Sequence, residues 1–306
     1  MRMNSLKNSE EGIFMVSSEE MSQTNKNIPD NIMKEVSSFP SMPRTGFKLR
    51  VLINKVDVSI KEIEEILRHD PGLSANVLRL ANSAFFGLSK KVGSLKQAVM
   101  LLGIERFAQI AVSASMKKTM DKAVEGYEMS PGELWLHSIA ASNIAESLAK
   151  NRKINGTYDV FTSALLHDIG KLALSKFLKK ELQEIKNITE DAIPLDVAEH
   201  MVLGTDHAEI GALILSKWSL PFDIVNAVRW HHCPERIDNS NIKSDIVYLS
   251  NQMCQSNANN DIVNGHFAIT SSVVLKRLGI KFEQYKAMAK KAHRWMGKLS
   301  DELIFD

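Results

Sequence analysis

The stretch TSALLHDIGKLAL, Thr162–Leu174, decides how this chain reads. It belongs to an apolar run expected to form one helix over about Asp159 to Phe177. Three ionisable residues, His167, Asp168 and Lys171, interrupt it. Lys171 lies four residues after His167 and three after Asp168, so on a helix all three project into one sector. Ionisable groups in the middle of an apolar helix are hard to explain as surface. Burying a polar group without a partner costs roughly 2–7 kcal/mol, so these three call for partners from elsewhere in the fold.

Working outward, helices follow one another on both sides. Ser59-x-x-Glu62 is a capping box ahead of Ile63, Ile66 and Leu67. Asp70-Pro71-Gly72 stops that helix and starts the next, with Leu73, Val77, Leu78 and Ala81 at helical spacing. Ser94 opens a further helix. Gly103 interrupts it before another over about Ile104 to Met120. Downstream, helices are expected over Glu133–Lys150, from Asp206 to near Trp218, from Pro221 to His231-His232, and over Asp245–Ser256, Ser271–Leu278 and Phe282–Leu299. No pair of runs carries a hairpin signal. The expected fold is all-α in two helical subdomains. The expected divisions are a flexible tail at 1–27, an N-terminal helical subdomain at 28–125, a second helical subdomain at 126–260, and C-terminal helices at 261–306 that pack on the second. The Ser, Asn and Glu of the first stretch suit a solvated tail, and Gly126 to Gly132, with Pro131 inside, suits a boundary.

Of nine histidines, six fall between His137 and His232, which makes this part of the chain the place to look for chemistry. His137 lies on the buried stripe of Leu134, Ala141, Ile144 and Leu148, and Glu133, four residues earlier, shares its face. His207 falls in the first turn of its helix, and His231 and His232 end theirs on the face of Ile224 and Val228. Any one of these has an ordinary explanation: a capping pair, an exposed helix end, a hydrogen-bonded core histidine. Together, Glu133, His137, His167, Asp168, His207, His231 and His232 bring seven nitrogen and oxygen donors from four helices. That mixture suits one or two ions of iron, manganese or zinc. A pair of such ions can activate water against a phosphoester, with Asp168 and Lys171 as the catalytic candidates and Lys171 neutralising phosphate charge.

Composition narrows the field. Thirty-eight basic against 36 acidic residues leave a net charge of +2, which gives no reason to invoke nucleic acid or an anionic membrane. Two cysteines, Cys233 and Cys254, cannot make a disulfide framework, and no apolar run has the length of a membrane span. A cytoplasmic protein with reduced thiols is the expectation.

The motif LLHDIGK, with a histidine upstream and a His-His pair downstream, resembles the HD superfamily of metal-dependent phosphohydrolases. Two longer stretches are more specific. LRHDPGLSANVLRLANSAFFGLSKKVGSLKQAVMLLGIERF (Leu67–Phe107) and GTDHAEIGALILSKWSLPFDIVNAVRWHHCP (Gly204–Pro234) resemble the two halves of the HDOD domain. The likeness covers about Val36 to His232. It implies a two-part helical fold with an HD-like C-terminal half, and a role in bacterial signalling as an output or regulatory module. In that branch catalysis is not generally established. The metal-binding HD pattern is retained at Glu133, His137, His167, Asp168, His207, His231 and His232. It departs at the final ligand, an aspartate in active HD enzymes, where Asn251 stands in IVYLSNQMC. A neutral amide is a poorer ligand than a carboxylate. The Gly-Tyr-Pro loop of the branch that cleaves cyclic-di-GMP is missing from HHCPERIDNSN.

The reading is therefore a non-catalytic HDOD-type signalling module with a degenerate metal centre. The alternative is a metal-dependent phosphodiesterase acting on a nucleotide or cyclic nucleotide. The expected partners are signalling proteins, with a nucleotide as the candidate small ligand and neither nucleic acid nor membrane. Arg79, Asn82 and Ser83 are expected to fix the junction between the two halves by hydrogen bonds.

Overall fold

The computed structural model describes residues 28–303 apart from 54–58, 69, 84, 85, 87, 89, 191, 192, 237–240 and 256–270. The expected tail at 1–27 lies outside the described residues. So do the end of the expected 126–260 unit and the start of the 261–306 unit. Among the described residues the regular structure is helical, with one isolated antiparallel bridge between Val124 and Met129.

Local chemistry sets the early boundaries. Ser59 N–H donates to Glu62 Oε2 at 3.0 Å and Glu62 N–H to Ser59 Oγ at 3.3 Å, opening α3 (Ile60–Arg68). The Asp70 side chain accepts from Leu73 N–H at 2.9 Å, with Pro71 at the first position of α4 (Pro71–Asn82). Ser94 accepts from Gln97 N–H at 3.2 Å to open α5 (Leu95–Leu102). Gly103, at φ 77°, takes the left-handed turn into α6 (Ile104–Met120) at little steric cost. Helix α6 is buried along most of its length and packs on α2 (Arg44–Ile53), α4 and α5. The first helix, α1 (Asp30–Ser38), instead lies against α9 (Gly170–Glu190) and α11 (His207–Lys217). There Lys217 Nζ donates to the Phe39 carbonyl at 3.0 Å and Trp218 Nε1 to the Pro40 carbonyl at 2.9 Å.

In the second half α7 (Glu133–Asn151) is the central element, buried nearly all round. It packs on α8 (Thr157–Leu166), α13 (Ile242–Gln255) and α15 (Phe282–Leu303). Val274 and Leu275 of α14 (Ser272–Arg277) and Tyr285, Ala289 and Ala292 of α15 close an apolar cluster over α7 and α13. A buried fully apolar side chain is worth about 1.5–3 kcal/mol, so this packing holds α7 rigidly in place.

Several features differ from the sequence expectation. The expected helix over 159–177 is broken: α8 ends at Leu166, α9 begins at Gly170, and His167, Asp168 and Ile169 form a tight turn. Ile169 N–H bonds the Leu166 carbonyl at 3.1 Å and Lys171 N–H the Asp168 carbonyl at 3.0 Å. The cause is tertiary. Gly170 meets the backbone of α11, where a Cβ would collide with the His207 carbonyl and the Gly211 nitrogen. Likewise α12 (Phe222–Arg229) stops short of the His231-His232 pair, which lies in the following turn. An unexpected helix, α10 (Leu195–Leu203), runs from Pro194 to a C-cap at Gly204, φ 70°.

Arg79, Asn82 and Ser83 do not bridge the halves. Arg79 bonds Asn76, Ser83 bonds the Leu80 carbonyl, and the Asn82 amide pairs with both backbone groups of Val92 at 2.7 and 2.8 Å. They hold their own subdomain, because the loop after α4 turns back onto it. The buried polar junction is made instead by α6 and α7. Arg106 reaches Glu146 and Asn143, Gln109 donates to Glu146 Oε1 at 2.9 Å, and Trp135 Nε1 donates to the Ser113 carbonyl at 3.0 Å.

Candidate metal centre

Six elements aim polar groups at one point. Helix α7 supplies His137, the α8–α9 turn supplies His167 and Asp168, and the first turn of α9 supplies Lys171. The start of α11 supplies His207, the turn after α12 supplies His231 and His232, and α13 supplies Asn251. His167, Asp168, His207 and His231 are fully buried. Gly170, two residues after Asp168, lets the chain approach the backbone of α11 at His207, where a Cβ would collide.

Asp168 is the hub. Its Oδ2 lies 3.3 Å from His167 Nε2, 3.6 Å from His137 Nε2 and 2.6 Å from Lys171 Nζ. Its Oδ1 lies 3.3 Å from His207 Nε2 and 3.8 Å from His231 Nε2. Two donor sets result, His137–His167–Asp168 and His207–His231–His232, each with its ligand atoms within 4.8 Å of one another. Within them, His137 and His167 approach Nε2 to Nε2 at 3.2 Å, and His207 and His232 at 2.8 Å. Asn251 Oδ1 sits 3.1 Å from His137 Nε2.

The outward ring nitrogens explain why the inward ones converge. His167 Nδ1 bonds the Ala164 carbonyl at 2.7 Å, and His231 Nδ1 bonds the Val228 carbonyl at 2.7 Å. A carbonyl only accepts, so Nδ1 carries the proton and, in the neutral ring, Nε2 presents a lone pair to the centre. His207 Nδ1 is held by Glu199, 2.7 and 2.9 Å from its two oxygens. Burial, aided by neighbouring imidazoles, holds His231 and His232 well below the ordinary histidine range, and burial takes His137 down to about 3. At His207 burial acts the same way, but Glu199 and Asp168 outweigh it and raise the ring to about 10. Burial alone would raise Asp168, yet His167 and Lys171 hold it well below the usual carboxylate range. Asp168 Oδ1, His231 Nε2 and Asn251 Nδ2 are buried without a hydrogen-bond partner. Converging lone pairs, a carboxylate facing both ways and orphaned polar atoms fit a divalent cation, and either donor set can hold one.

Of the seven expected ligands, six converge here. Glu133 does not: it is exposed, and its Oε2 accepts from Ser130 N–H at 2.8 Å at the start of α7. The first-turn position lets its carboxylate turn back onto unpaired backbone N–H groups, a use that competes with reaching inward. Lys171, expected to meet phosphate, is buried against Asp168, with Nζ 5.5 Å from the Tyr127 ring centroid. Tyr127 also meets His207 edge-on, centroids 6.1 Å apart. Two residues of the site escaped sequence reasoning: Tyr127, and the fully buried Glu199. Pro194 and Gly204 bracket α10 and mark a helix, but nothing local pairs Glu199 with a residue eight positions on.

Comparison with known proteins agrees with this fold. The HDOD domain profile matches residues 39–234. An HDOD domain protein of Geobacter sulfurreducens superposes with a TM-score of 0.74 at 22% identity, over 90% of this chain and 97% of that one. A Shewanella amazonensis protein provisionally named a phosphohydrolase gives 0.69 at 23% identity, over 90% and 98%. At these identities the likeness concerns the fold alone. An uncharacterized protein of Treponema pallidum (strain Nichols) is 26% identical over 212 residues, which is 69% of this chain and 40% of that protein. YuxH of Bacillus subtilis is 26% identical over 138 residues, 42% of this chain and 33% of YuxH. The chain thus matches well under half the length of these two relatives. Among the described residues no helix is long and apolar enough to cross a membrane.

Proposed function

The chain belongs to the HDOD domain family, and on that premise we propose that it is a signal-transduction or regulatory module that holds a divalent metal ion in a degenerate histidine–aspartate centre without turning over phosphoesters. The observation that carries this reading is Asn251, whose neutral amide stands 3.1 Å from His137 Nε2 where the HD pattern asks for an aspartate. Two more observations support it. Glu133 is turned away from the centre, and the Lys171 ammonium is committed to Asp168 at 2.6 Å.

Iron, manganese or zinc suits the donors, and His207–His231–His232 with Asp168 Oδ1 is the better-furnished set. When bound, a dication supplies fixed positive charge where α7, α9, α11 and the turn after α12 meet, and its binding free energy adds to folding free energy. His207, His231 and His232 with Asp168 Oδ1 would hold it in that set, and His137 and His167 with Asp168 Oδ2 would hold one in the other. The output is contact with a signalling protein in the cytoplasm, with a nucleotide as the small-ligand candidate.

A metal-dependent phosphodiesterase is the second reading, favoured by the six converging donors. The test is hydrolysis of bis(p-nitrophenyl) phosphate and of cyclic dinucleotides by protein supplied with manganese or ferrous iron. Release no faster than in the metal-only control is expected. Turnover by the wild type that Asp168→Ala abolishes would overturn the first reading in favour of the second.

A further inference from the structure

We infer that Glu199, on α10, is a positioning residue of the metal centre: it clamps His207 so that Nε2 alone faces the ion. This deepens the metal-binding reading and rests on it. Glu199 belongs to none of the motifs that point to the centre, and it lies on a helix that otherwise only flanks it. Its side chain is fully buried. Both oxygens are directed at one residue. Oε2 accepts the backbone N–H of His207 at 2.7 Å, and Oε1 and Oε2 lie 2.9 and 2.7 Å from His207 Nδ1.

That geometry does three things. The backbone bond satisfies a donor of the first turn of α11, which has no partner within its helix. The Nδ1 bond excludes the tautomer that would turn a lone pair away from the centre, because a carboxylate accepts only from N–H. The paired negative charge makes the imidazole a stronger donor, as carboxylate–histidine pairs do at metal sites. His167 and His231 have only neutral carbonyls, Ala164 and Val228, behind their Nδ1 atoms. Among the three rings so held, His207 is the one backed by a charge. Its Nε2 also lies nearer Asp168 Oδ1, at 3.3 Å against 3.8 Å for His231. The clamp therefore belongs to the His207–His231–His232 set and predicts that this set binds first.

The test measures zinc affinity by competition with a chromophoric chelator, together with the visible spectrum of the cobalt-loaded protein. The proteins are the wild type, Glu199→Gln, His207→Ala and the double variant. Glu199→Gln is expected to weaken zinc binding about 10–100-fold and to alter the cobalt bands, while adding nothing further in the His207→Ala background. Equal affinity and an unchanged cobalt spectrum in Glu199→Gln would overturn the inference and leave the metal reading standing. A wild type that takes up neither ion would overturn both. Should Glu199→Gln fail to fold, histidine nitrogen NMR of the zinc-loaded wild type decides: Nδ1–H with Nε2 ligated at His207 supports the clamp, and Nδ1 ligation refutes it.

Discussion

Two buried polar clusters share helix α7, and they are built differently. At the junction with α6, Glu146 is bonded through both oxygens, to Arg106, to Gln109 at 2.9 Å and to Lys150 at 2.6 Å. Asn143 accepts from Arg106 and donates to the Ile139 carbonyl at 2.8 Å, and the Arg106 guanidinium also covers the Phe86 ring. At the histidine centre, by contrast, Asp168 Oδ1, His231 Nε2 and Asn251 Nδ2 have no hydrogen-bond partner. Both clusters sit in an apolar core, where an unmet polar group costs roughly 1–3 kcal/mol. The first is closed upon itself and serves the fold. The second leaves polar atoms unmet in the core, a difference that favours a binding site without reference to any motif.

The largest expected effect breaks the closed cluster. Glu146→Ala leaves the Arg106 guanidinium buried beside only amide acceptors and should cost about 3 kcal/mol, the low end for a broken buried pair because Arg106 keeps some water access. Denaturant unfolding measures this. Metal stoichiometry should not change, and a parallel loss of metal would mean that the two clusters are not separable.

The next effect sharpens the open cluster. Chelator should lower the melting temperature of metal-loaded protein, since a ligand at a hundred times its dissociation constant stabilises by about 2.7 kcal/mol. His167→Ala combined with Asp168→Ala should abolish the chelator effect in paired thermal melts. A loaded wild type indifferent to chelator would remove any structural role for the ion. Asn251→Asp is smaller. A carboxylate beside His137 should tighten binding at the His137–His167–Asp168 set about tenfold, or roughly 1.4 kcal/mol, by calorimetric titration. No gain would mean that position 251 does not reach the ion.

These outcomes bear on how much could be read from the residues. Boundaries made by neighbouring groups were legible: the Ser59–Glu62 box, Asp70-Pro71, Ser94, Gly103 and the Asp206 cap each use atoms within a few residues. The inward histidines and Asp168 were legible because ionisable groups on apolar stretches need a reason to be there. What was not legible depends on distant partners. The break at His167–Ile169 comes from Gly170 meeting α11. The inward role of Glu133 was lost to a local competitor, the Ser130 N–H. Glu199 and the Arg106–Glu146 junction rest on pairings across separate helices, which residue spacing on one helix cannot express.

A further effect is a dependence on pH, in which the two signs differ. In metal-free protein His207 is raised to about 10, above the ordinary 6.5, so its contribution is complete below pH 6.5 and is lost as pH rises toward 10. His137 is lowered to about 3, so in acid the unfolded chain takes up the proton first, and stability falls as pH drops from 6.5 toward 3. Metal-free stability should therefore peak near pH 6.5. The increment that metal adds should run the other way above that pH, because binding at His207 Nε2 releases its proton and strengthens as pH rises. Chemical unfolding with and without zinc across pH 5–9 reads both slopes, and parallel curves would contradict the assignment of His207 as a ligand.

The central claim is that the histidine centre is a metal site, and elemental analysis by plasma mass spectrometry tests it most directly. The protein is purified without chelator, offered ferrous iron, manganese or zinc, and desalted. The account predicts at least about one ion retained per chain, and about one fewer in the combined His207→Ala, His231→Ala, His232→Ala variant. A wild type that retains none of the three metals would contradict it.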